Sequence, residues 1–424
     1  MKRYSEYKDS GVKWIGEIPG HWEIRRLKNV VLCNAETLSE NFPKDEVIKY
    51  VEISDVNYTS GITNIQRMPF GEAPSRARRI TKKNDVIVST VRTYLKAVAK
   101  IQEDGLIVST GFAVLHPLIG NSSFLSYFAL SESFIHNVIV NSKGISYPAI
   151  TASDLICIAM PLPPLSEQEA IVTYLDTKVA KIDEYISIAE KKIAALEELR
   201  QTIIAEAVTR GIHKDVPMKD SGVKWIGMIP EHWKIRKMKF VFKERSEKGY
   251  PNEPVLSATQ SNGVIPQSMY ENRVVVVNKG FENLKLVCKG DFVISLRSFQ
   301  GGIEYAYYRG IISAAYTILT KSAEFLNEGY VKNLFKSHPF VQLLKTCVTG
   351  IREGQNINYS LLRDKYIPVP PLAEQQEIVT YIEAKVANIN QLCQAERSQI
   401  EKLKEYKQRL ISDVVTGKVK VTND

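Results

Sequence analysis

Hydrophobic and polar positions alternate between two regimes along this chain, and the alternation occurs twice. In the first regime, short β-branched runs bounded by Gly, Asn, Asp or Lys predict strands: Asp85-Val-Ile-Val-Ser-Thr-Val, Leu106-Ile-Val-Ser, Arg273-Val-Val-Val-Val and Asp291-Phe-Val-Ile-Ser-Leu. Residues 124–140 and 328–348 carry apolar side chains at helical spacing and predict short helices in the same regions. In the second regime, apolar residues recur at 4-3-4-3 intervals, at Ile182, Ile186, Ala189, Ile193, Leu196 and Ile203, and again at Ile389, Cys393, Ile400, Leu403, Leu410 and Val414. Such an interval keeps one narrow seam facing a partner helix, as in a coiled coil.

Punctuation sets the limits of these helices. Pro161, Pro163 and Pro164 precede the first, and Ser166-Glu167-Gln168-Glu169 reads as a capping box, so the helix is expected from about Glu167 to a stop at Arg210-Gly211. Before the second stand Pro368, Pro370 and Pro371, with Ala373 in place of the capping serine. That helix end is expected to be weaker by roughly 1 kcal/mol. A helix of about 42 residues is ~63 Å long, more than one small body covers. The simplest packing is an antiparallel pair about an approximate two-fold axis; the alternative is that each helix packs on its own body or forms intermolecular coils.

The alternation reflects a tandem repeat. Residues 8–28, KDSGVKWIGEIPGHWEIRRLK, return as 219–239, KDSGVKWIGMIPEHWKIRKMK, identical at 16 of 21 positions. Residues 163–180 return as 370–387 with 12 of 18 identical, while the middles match only in fragments such as Asp85-Val-Ile-Val-Ser against Asp291-Phe-Val-Ile-Ser. These fragments are followed by Arg92 and Arg297. The expected fold is α+β: two tandem-repeated, strand-rich globular domains (1–164 and 213–371) separated by two long helices (165–212 and 372–424) packed as an antiparallel coiled coil with pseudo-two-fold symmetry.

Composition adds exclusions. At 424 residues, with 44% hydrophobic and 24% charged, the chain reads as a folded protein of at least two domains, and no stretch is apolar enough to span a membrane. Residues 1–10 are polar and carry no secretory signal, so the cytoplasm is expected. Five scattered cysteines (33, 157, 288, 347 and 393) with no Cys-x-x-Cys pair exclude a zinc ribbon or disulfide framework and are expected to be buried thiols. The charge of +9 lies in the bodies: by region it divides as +3, −3, +9 and 0. A nucleic acid would therefore meet the bodies rather than the helices.

No phosphate loop, Gly-x-Gly-x-x-Gly, His-Glu-x-x-His, Gly-x-Ser-x-Gly or Asn-Pro-Pro-Tyr occurs, so no catalytic residue, metal or cofactor is assigned. The repeated His21 and His232, and Trp14, Trp22, Trp225 and Trp233, read as shared packing residues. Candidate DNA contacts fall in the divergent middles. Arg76, Arg78, Arg79, Lys82 and Lys83 place five cations within eight residues, able to grip phosphates or give a bidentate arginine to guanine; the same run also suits a solvated loop. Arg92, Tyr94 and Lys96 in one half, and Arg297, Gln300 and Gly301 in the other, follow equivalent strands. Gln300 suits adenine, and Gly301 and Gly302 suit close backbone approach. A strand-end arginine paired to a carboxylate is the alternative.

Taken together, the duplicated layout, Pro-Pro-Leu-x-Glu-Gln at 163–168 and 370–375, Gly-Val-Lys-Trp-Ile-Gly-x-Ile-Pro-x-His-Trp beginning at Gly11 and Gly222, and Gly350-Ile-Arg-Glu-Gly-Gln-Asn-Ile-Asn resemble the specificity subunit of a type I restriction-modification system over the full length. The resemblance implies a non-enzymatic subunit with two target recognition domains, each reading half of a split sequence in double-stranded DNA, held apart by the helices as a ruler. It implies two adenine methyltransferase partners that supply the S-adenosylmethionine site and base flipping, and ATP-driven restriction subunits that join where cleavage occurs. It also adds Arg352 as a DNA contact; the first half has Lys143-Gly-Ile-Ser-Tyr-Pro there and lacks the arginine. A coiled-coil adaptor without DNA readout is the competing interpretation.

Overall fold

The computed structural model describes residues 2–145, 147–270, 280–350 and 356–421. The expected strand at Arg273 lies outside the described residues. The chain forms two compact units, one of residues 1–189 with 397–424 and one of residues 190–396.

In the first unit, strands Tyr7–Asp9 and Glu17–Pro19 pair as an antiparallel hairpin, and Glu23–Arg26 pairs with Ala159–Leu162 at the exit of the body. Between them lie β1 (Val31–Cys33), β2 (Val47–Val51), β3 (Gln66–Pro69), β4 (Ala77–Ile80), β5 (Val86–Ser89), β6 (Val98–Lys100), β7 (Leu106–Ser109) and β8 (Phe112–Pro117). They build two four-stranded sheets, β6-β5-β8-β1, antiparallel throughout, and β3-β2-β7-β4, in which β2 and β7 are parallel. Strand periodicity divides the interior. Ile87 enters a core with Val51, Val108 and Val114, whereas its neighbours Val86 and Val88 face Phe124, Phe128 and Phe134. Those aromatics come from α1 (Ser122–Ala129) and α2 (Glu132–Val140).

Each helical stretch expected within the bodies is two helices. Buried Ser131 closes one and opens the next, its Oγ donating to the Phe128 carbonyl at 2.6 Å and accepting from the Phe134 N–H at 3.3 Å. This competition for backbone groups is why serine interrupts helices and caps them.

The two long helices are α3 (Leu165–Arg210, 46 residues) and, in the second half, a helix of 44 residues, Leu372–Val415. The expected capping box does not form. Pro164 immediately precedes α3, Ser166 already lies inside the first turn, and the Glu167 and Gln168 N–H groups donate to the Pro164 carbonyl. The two acidic-amide positions do other work. Buried Glu167 accepts from Trp22 Nε1 at 3.0 Å, from the Tyr4 hydroxyl, and shares a 2.8 Å hydrogen bond with His21 Nε2. Gln168 donates to the Pro163 carbonyl and accepts from the Asn121 N–H, both at 2.8 Å. Ala373 therefore costs the second helix no cap. There Glu374 accepts from Trp233 Nε1 at 3.0 Å and shares a 2.7 Å hydrogen bond with His232 Nε2. Gln375 meets the Pro370 carbonyl and the Asn327 N–H, also at 2.8 Å. Trp22 and Trp233 are buried, and Trp14 and Trp225 pack on Phe128 and Phe340.

The second unit repeats the first sheet. Strands β9 (Phe242–Arg245), β10 (Phe292–Ile294), β11 (Glu304–Tyr305) and β12 (Thr317–Lys321) lie in the order β9-β12-β10-β11, matching β1-β8-β5-β6. Helices α4 (Glu328–Lys336) and α5 (His338–Lys345) again divide at a buried serine, Ser337, with Pro339 in the first turn of α5. The long helix Leu372–Val415 is α6.

Helix pairing is antiparallel within each unit. In the first, Leu410, Ile411, Val414 and Val415 of α6 share a core with Ile171, Leu175 and Ile182 of α3, and Lys407 Nζ lies 2.7 Å from Asp183 Oδ1. Beyond α6, Gly417 takes a left-handed φ of 77° against Pro19 and Trp22, and the Lys420 N–H donates to the Lys2 carbonyl at 3.0 Å. In the second unit, Ala207 and Val208 of α3 share a core with Ile378 and Ile382 of α6. Lys192 Nζ is 2.5 Å from Glu396 Oε1 and Arg200 Nη1 is 3.4 Å from Asn390 Oδ1, so moving forward on α3 is moving back on α6. Of the seam positions, Ile182, Ile389, Ile400 and Leu410 are buried, and Ile186, Ile193, Leu196, Ile203 and Leu403 are half-buried.

The cysteines are free, but only Cys347 and Cys393 are buried. Cys33 and Cys288 are half-buried, and Cys157 is exposed in the turn that leads into strand Ala159–Leu162.

Removing the Glu167 carboxylate leaves the Trp22 indole donor unpaired in a buried site. Glu167→Ala is expected to destabilise the first unit by about 3 kcal/mol, whereas Ser166→Ala should change stability by under about 0.5 kcal/mol. Thermal unfolding followed by tryptophan fluorescence checks both; a capping serine would reveal itself as a loss near 1 kcal/mol.

Candidate nucleic-acid interface

The two sheets of the first body meet at the turn between β7 and β8. The Thr110 N–H donates to the Arg76 carbonyl and the Thr90 N–H to the Gly111 carbonyl, both at 2.8 Å. This gathers the start of β4 and the end of β5 onto one rim, so that Arg76 and residues 91–96 are neighbours despite their separation in sequence. Arg76 is exposed, with Nε 2.9 Å from Glu52 Oε2. The same carboxylate oxygen accepts from the Tyr50 hydroxyl at 2.6 Å, and burial together with Glu52 pushes that phenol up to about 12.

Residues 91–96 form a tight excursion. Arg92 (φ 51°) and Lys96 (φ 53°) flank a 3₁₀ turn, Thr93–Leu95, and both are non-glycine residues in the left-handed region, a conformation that surrounding structure must impose. The bracing comes from the segment 142–149. Thr93 Oγ1 is 2.9 Å from Ser142 Oγ, and Lys143 and Ala149 exchange reciprocal backbone hydrogen bonds of 2.8 and 2.9 Å. The Arg92 guanidinium lies 5.1 Å over the Tyr147 ring and Lys96 Nζ 5.4 Å over the Tyr58 ring. Neither cation has a carboxylate ion pair among the described residues. The carboxylate alternative for these arginines therefore does not describe Arg92, which stacks on an aromatic ring instead. Tyr94 is exposed beside them.

The run from Arg76 to Lys83 is not one patch. Successive strand residues face opposite ways. Arg78 stacks 4.8 Å over Phe70, and half-buried Arg79 reaches Thr37 Oγ1 at 3.3 Å. Lys82 pairs with Glu36 and Lys83 is exposed with its N–H on Asp104, both beyond the end of β4 opposite Arg76. Only Arg76 joins the rim.

In the second body, Arg297 follows β10 as Arg92 follows β5, and it opens a short turn, Ser298–Gly301, on which Arg297 and Gln300 are exposed. The expected role of the glycines is corrected. A Cβ on Gly301 would stand 2.9 Å from Gln260 Cδ, and one on Gly302 would stand 2.3 Å from the Phe335 carbonyl oxygen. They allow close packing within the body, where Lys336 Nζ also bonds the Gly301 carbonyl at 3.1 Å and Glu304 Oε1 at 2.5 Å. Arg352 lies outside the described residues.

Reading the sequence for clustered cations misses Tyr58, Lys143, Ile145 and Tyr147, because folding rather than proximity in sequence brings Tyr147 to Arg92, Tyr58 to Lys96 and the segment of Lys143 and Ile145 to Thr93. The available signal is the exposed apolar and aromatic content of Lys143-Gly-Ile-Ser-Tyr-Pro. Among the described residues there is no group of three metal-ligating side chains, and no helix is long and apolar enough to cross a membrane.

The profile of the type I restriction modification DNA specificity domain matches residues 19–198 and 230–402. The chain belongs to the type I restriction-modification specificity family. It is 26% identical over 309 residues to the type I restriction enzyme MjaVIII specificity subunit of Methanocaldococcus jannaschii, covering 69% of each chain. Among solved structures, a chain from a study of complex assembly and conformational transition of the type I R-M system is similar with a TM-score of 0.69 at 23% identity, covering 94% of this chain and 98% of that one. The HsdS subunit from Thermoanaerobacter tengcongensis is similar with a TM-score of 0.51 at 25% identity, covering 95% and 98%. Family membership gives this chain the DNA-specificity role of a type I restriction-modification system and no catalytic role of its own; the adaptor interpretation is not favoured. Assembly with the other restriction-modification subunits belongs to that role.

The rim geometry separates cations that look equivalent along the sequence. Arg92→Ala in a complex with its partner subunits is expected to weaken DNA binding and lower the salt slope by about 0.9 for each phosphate no longer neutralised, and Lys82→Ala to leave the slope unchanged. Filter or fluorescence binding across a salt series checks this; equal slopes for the two variants would place the phosphate grip elsewhere.

Proposed function

We propose that each body, residues 1–164 and 213–371, is a target recognition domain that reads one half of a split sequence in double-stranded DNA. The observation that carries this reading is the rim: an arginine at the same place after equivalent strands β5 and β10, on bodies whose surrounding residues differ. A common scaffold with different rim chemistry suits the reading of two different half-sites. Arg76, Arg92, Tyr94 and Lys96 serve the first half-site, and Arg297 and Gln300 the second, with Arg352 a further contact there; Arg78, Arg79, Lys82, Lys83 and Gly301 are peripheral to the rim.

Helices α3 and α6, whose first turns repeat between the two halves, serve as the spacer that fixes the gap. Two adenine methyltransferase subunits dock on the chain and bring the S-adenosylmethionine chemistry, and ATP-dependent restriction subunits join where cleavage occurs. The complex works in the cytoplasm, where its DNA is.

Co-expression with the methyltransferase partner in a host lacking modification, followed by sequencing for methylated adenine, is expected to show a split motif with one methylated adenine per half and a constant gap. An intact complex that leaves the DNA unmethylated would defeat the reading. Replacing residues 30–150 with those of a related chain should change one half-site only. Inserting four residues after Ala194, about one helical turn, should change the gap and leave both half-sites as they were.

A further inference from the structure

Ile145 is fully exposed (103%), Tyr147 is 65% exposed and Tyr94 52%. Apolar side chains on a loose loop would fold back onto the body, but these stand on a braced base. The left-handed Arg92 and Lys96, the Thr93–Ser142 hydroxyl contact and the Lys143–Ala149 backbone pair fix the two segments to each other. The Tyr147 ring is backed by the Arg92 guanidinium and has no other ring against it among the described residues. Arg92 touches the tip, Lys96 and Lys143 lie on the two braced segments that carry it, and none of the three has a carboxylate ion pair among the described residues. Apolar and aromatic tips on segments that also carry cations without carboxylate partners match a stacked base flanked by phosphates better than they match an apolar protein surface. In the second body an exposed aliphatic residue, Leu296, again stands next to the rim arginine.

We propose that Ile145 and Tyr147, with Tyr94 beside them, form a wedge that enters and partly unstacks one base step of the half-site read by the first body, while Arg92, Lys96 and Lys143 hold the flanking phosphates. The proposal rests on the reading that the first body binds DNA.

The test uses the full chain assembled with its methyltransferase partners and duplexes carrying 2-aminopurine at successive positions of both half-sites. The wild-type complex should raise the emission at one step of the first half-site. The double variant Ile145→Ala, Tyr147→Ala should abolish that rise, leave the second half-site's signals unchanged, and weaken binding by about tenfold. On a duplex with an abasic position at that step, where unstacking is already done, the same variant should lose less than about twofold. An unchanged emission rise, or an equal loss of affinity on intact and abasic duplexes, overturns the wedge. So does failure of the variant to assemble with the methyltransferase, which would place the tip at a protein contact. If the wild-type complex shows no specific binding to either half-site, the readout itself fails, a result separable from all of these.

Discussion

A carboxylate that leaves water must find partners inside the protein, or the fold that buries it is penalised by several kcal/mol. Glu167 and Glu374 are both 8% exposed and sit in the first turns of the two long helices. Each finds its partners in the Trp and His that end the opening motif of its own unit. One residue along, Gln168 and Gln375 clasp the proline carbonyl behind them and the Asn N–H that starts the body's own helices. The long helix, the opening hairpin and the helical face of the body therefore meet at one node. This explains why Pro-Pro-Leu-x-Glu-Gln and Pro-x-His-Trp are among the parts of the repeat that stay constant. In the first unit both carboxylate oxygens of Glu167 and both amide atoms of Gln168 have partners, so a substitution at either leaves a buried group unsatisfied.

Outside the node the two bodies have drifted. The sheet on the helical side keeps its strand order in both, since it packs on the aromatics that the node anchors. The other sheet is continuous in the first body, whereas in the second its described counterparts are the pairs Leu256–Thr259 with Gly263–Pro266 and Lys285–Val287 with Gly310–Ile312, joined only by a parallel bridge between Val255 and Ile311. The second body also half-buries an ion pair with no counterpart among the described residues of the first. Lys336 meets Glu304, whose remaining carboxylate oxygen has no partner and whose pKa is raised by burial. Drift of this kind changes the rim without disturbing the node, and a protein that must change its target while keeping its assembly needs that separation.

What the sequence reveals follows from how each signal arises. Long helices show themselves because a 3.5-residue period is sustained over dozens of residues, and the duplicated motifs identify the family because many specific positions recur together. The first turn of α3 misleads because Ser-Glu-Gln-Glu satisfies a local capping pattern; the partners that claim Glu167 lie about 145 residues away, and local rules carry no information about them. The cation run from Arg76 to Lys83 looks like a patch for the same reason, and strand alternation and the ion pair with Glu36 disperse it. Tyr147 and Arg92 meet only through tertiary folding. Gly301 and Gly302 are places of close approach, as their sequence suggests, but the approaching groups, Gln260 and the Phe335 carbonyl, belong to the chain itself.

The core of the first unit includes Leu410, Ile411, Val414, Val415 and Val419, residues translated after the whole of the second unit. Every part of the second unit has left the ribosome before them. At 5–20 residues per second, the stretch between residues 189 and 397 takes on the order of 10–40 s to translate. During that time the N-terminal half must wait with one side of its interior open, while the half made later can complete itself. Maturation therefore runs against the direction of translation, and the apolar surface around Ile171, Leu175 and Ile182 stays uncovered by α6 until the second unit has been made.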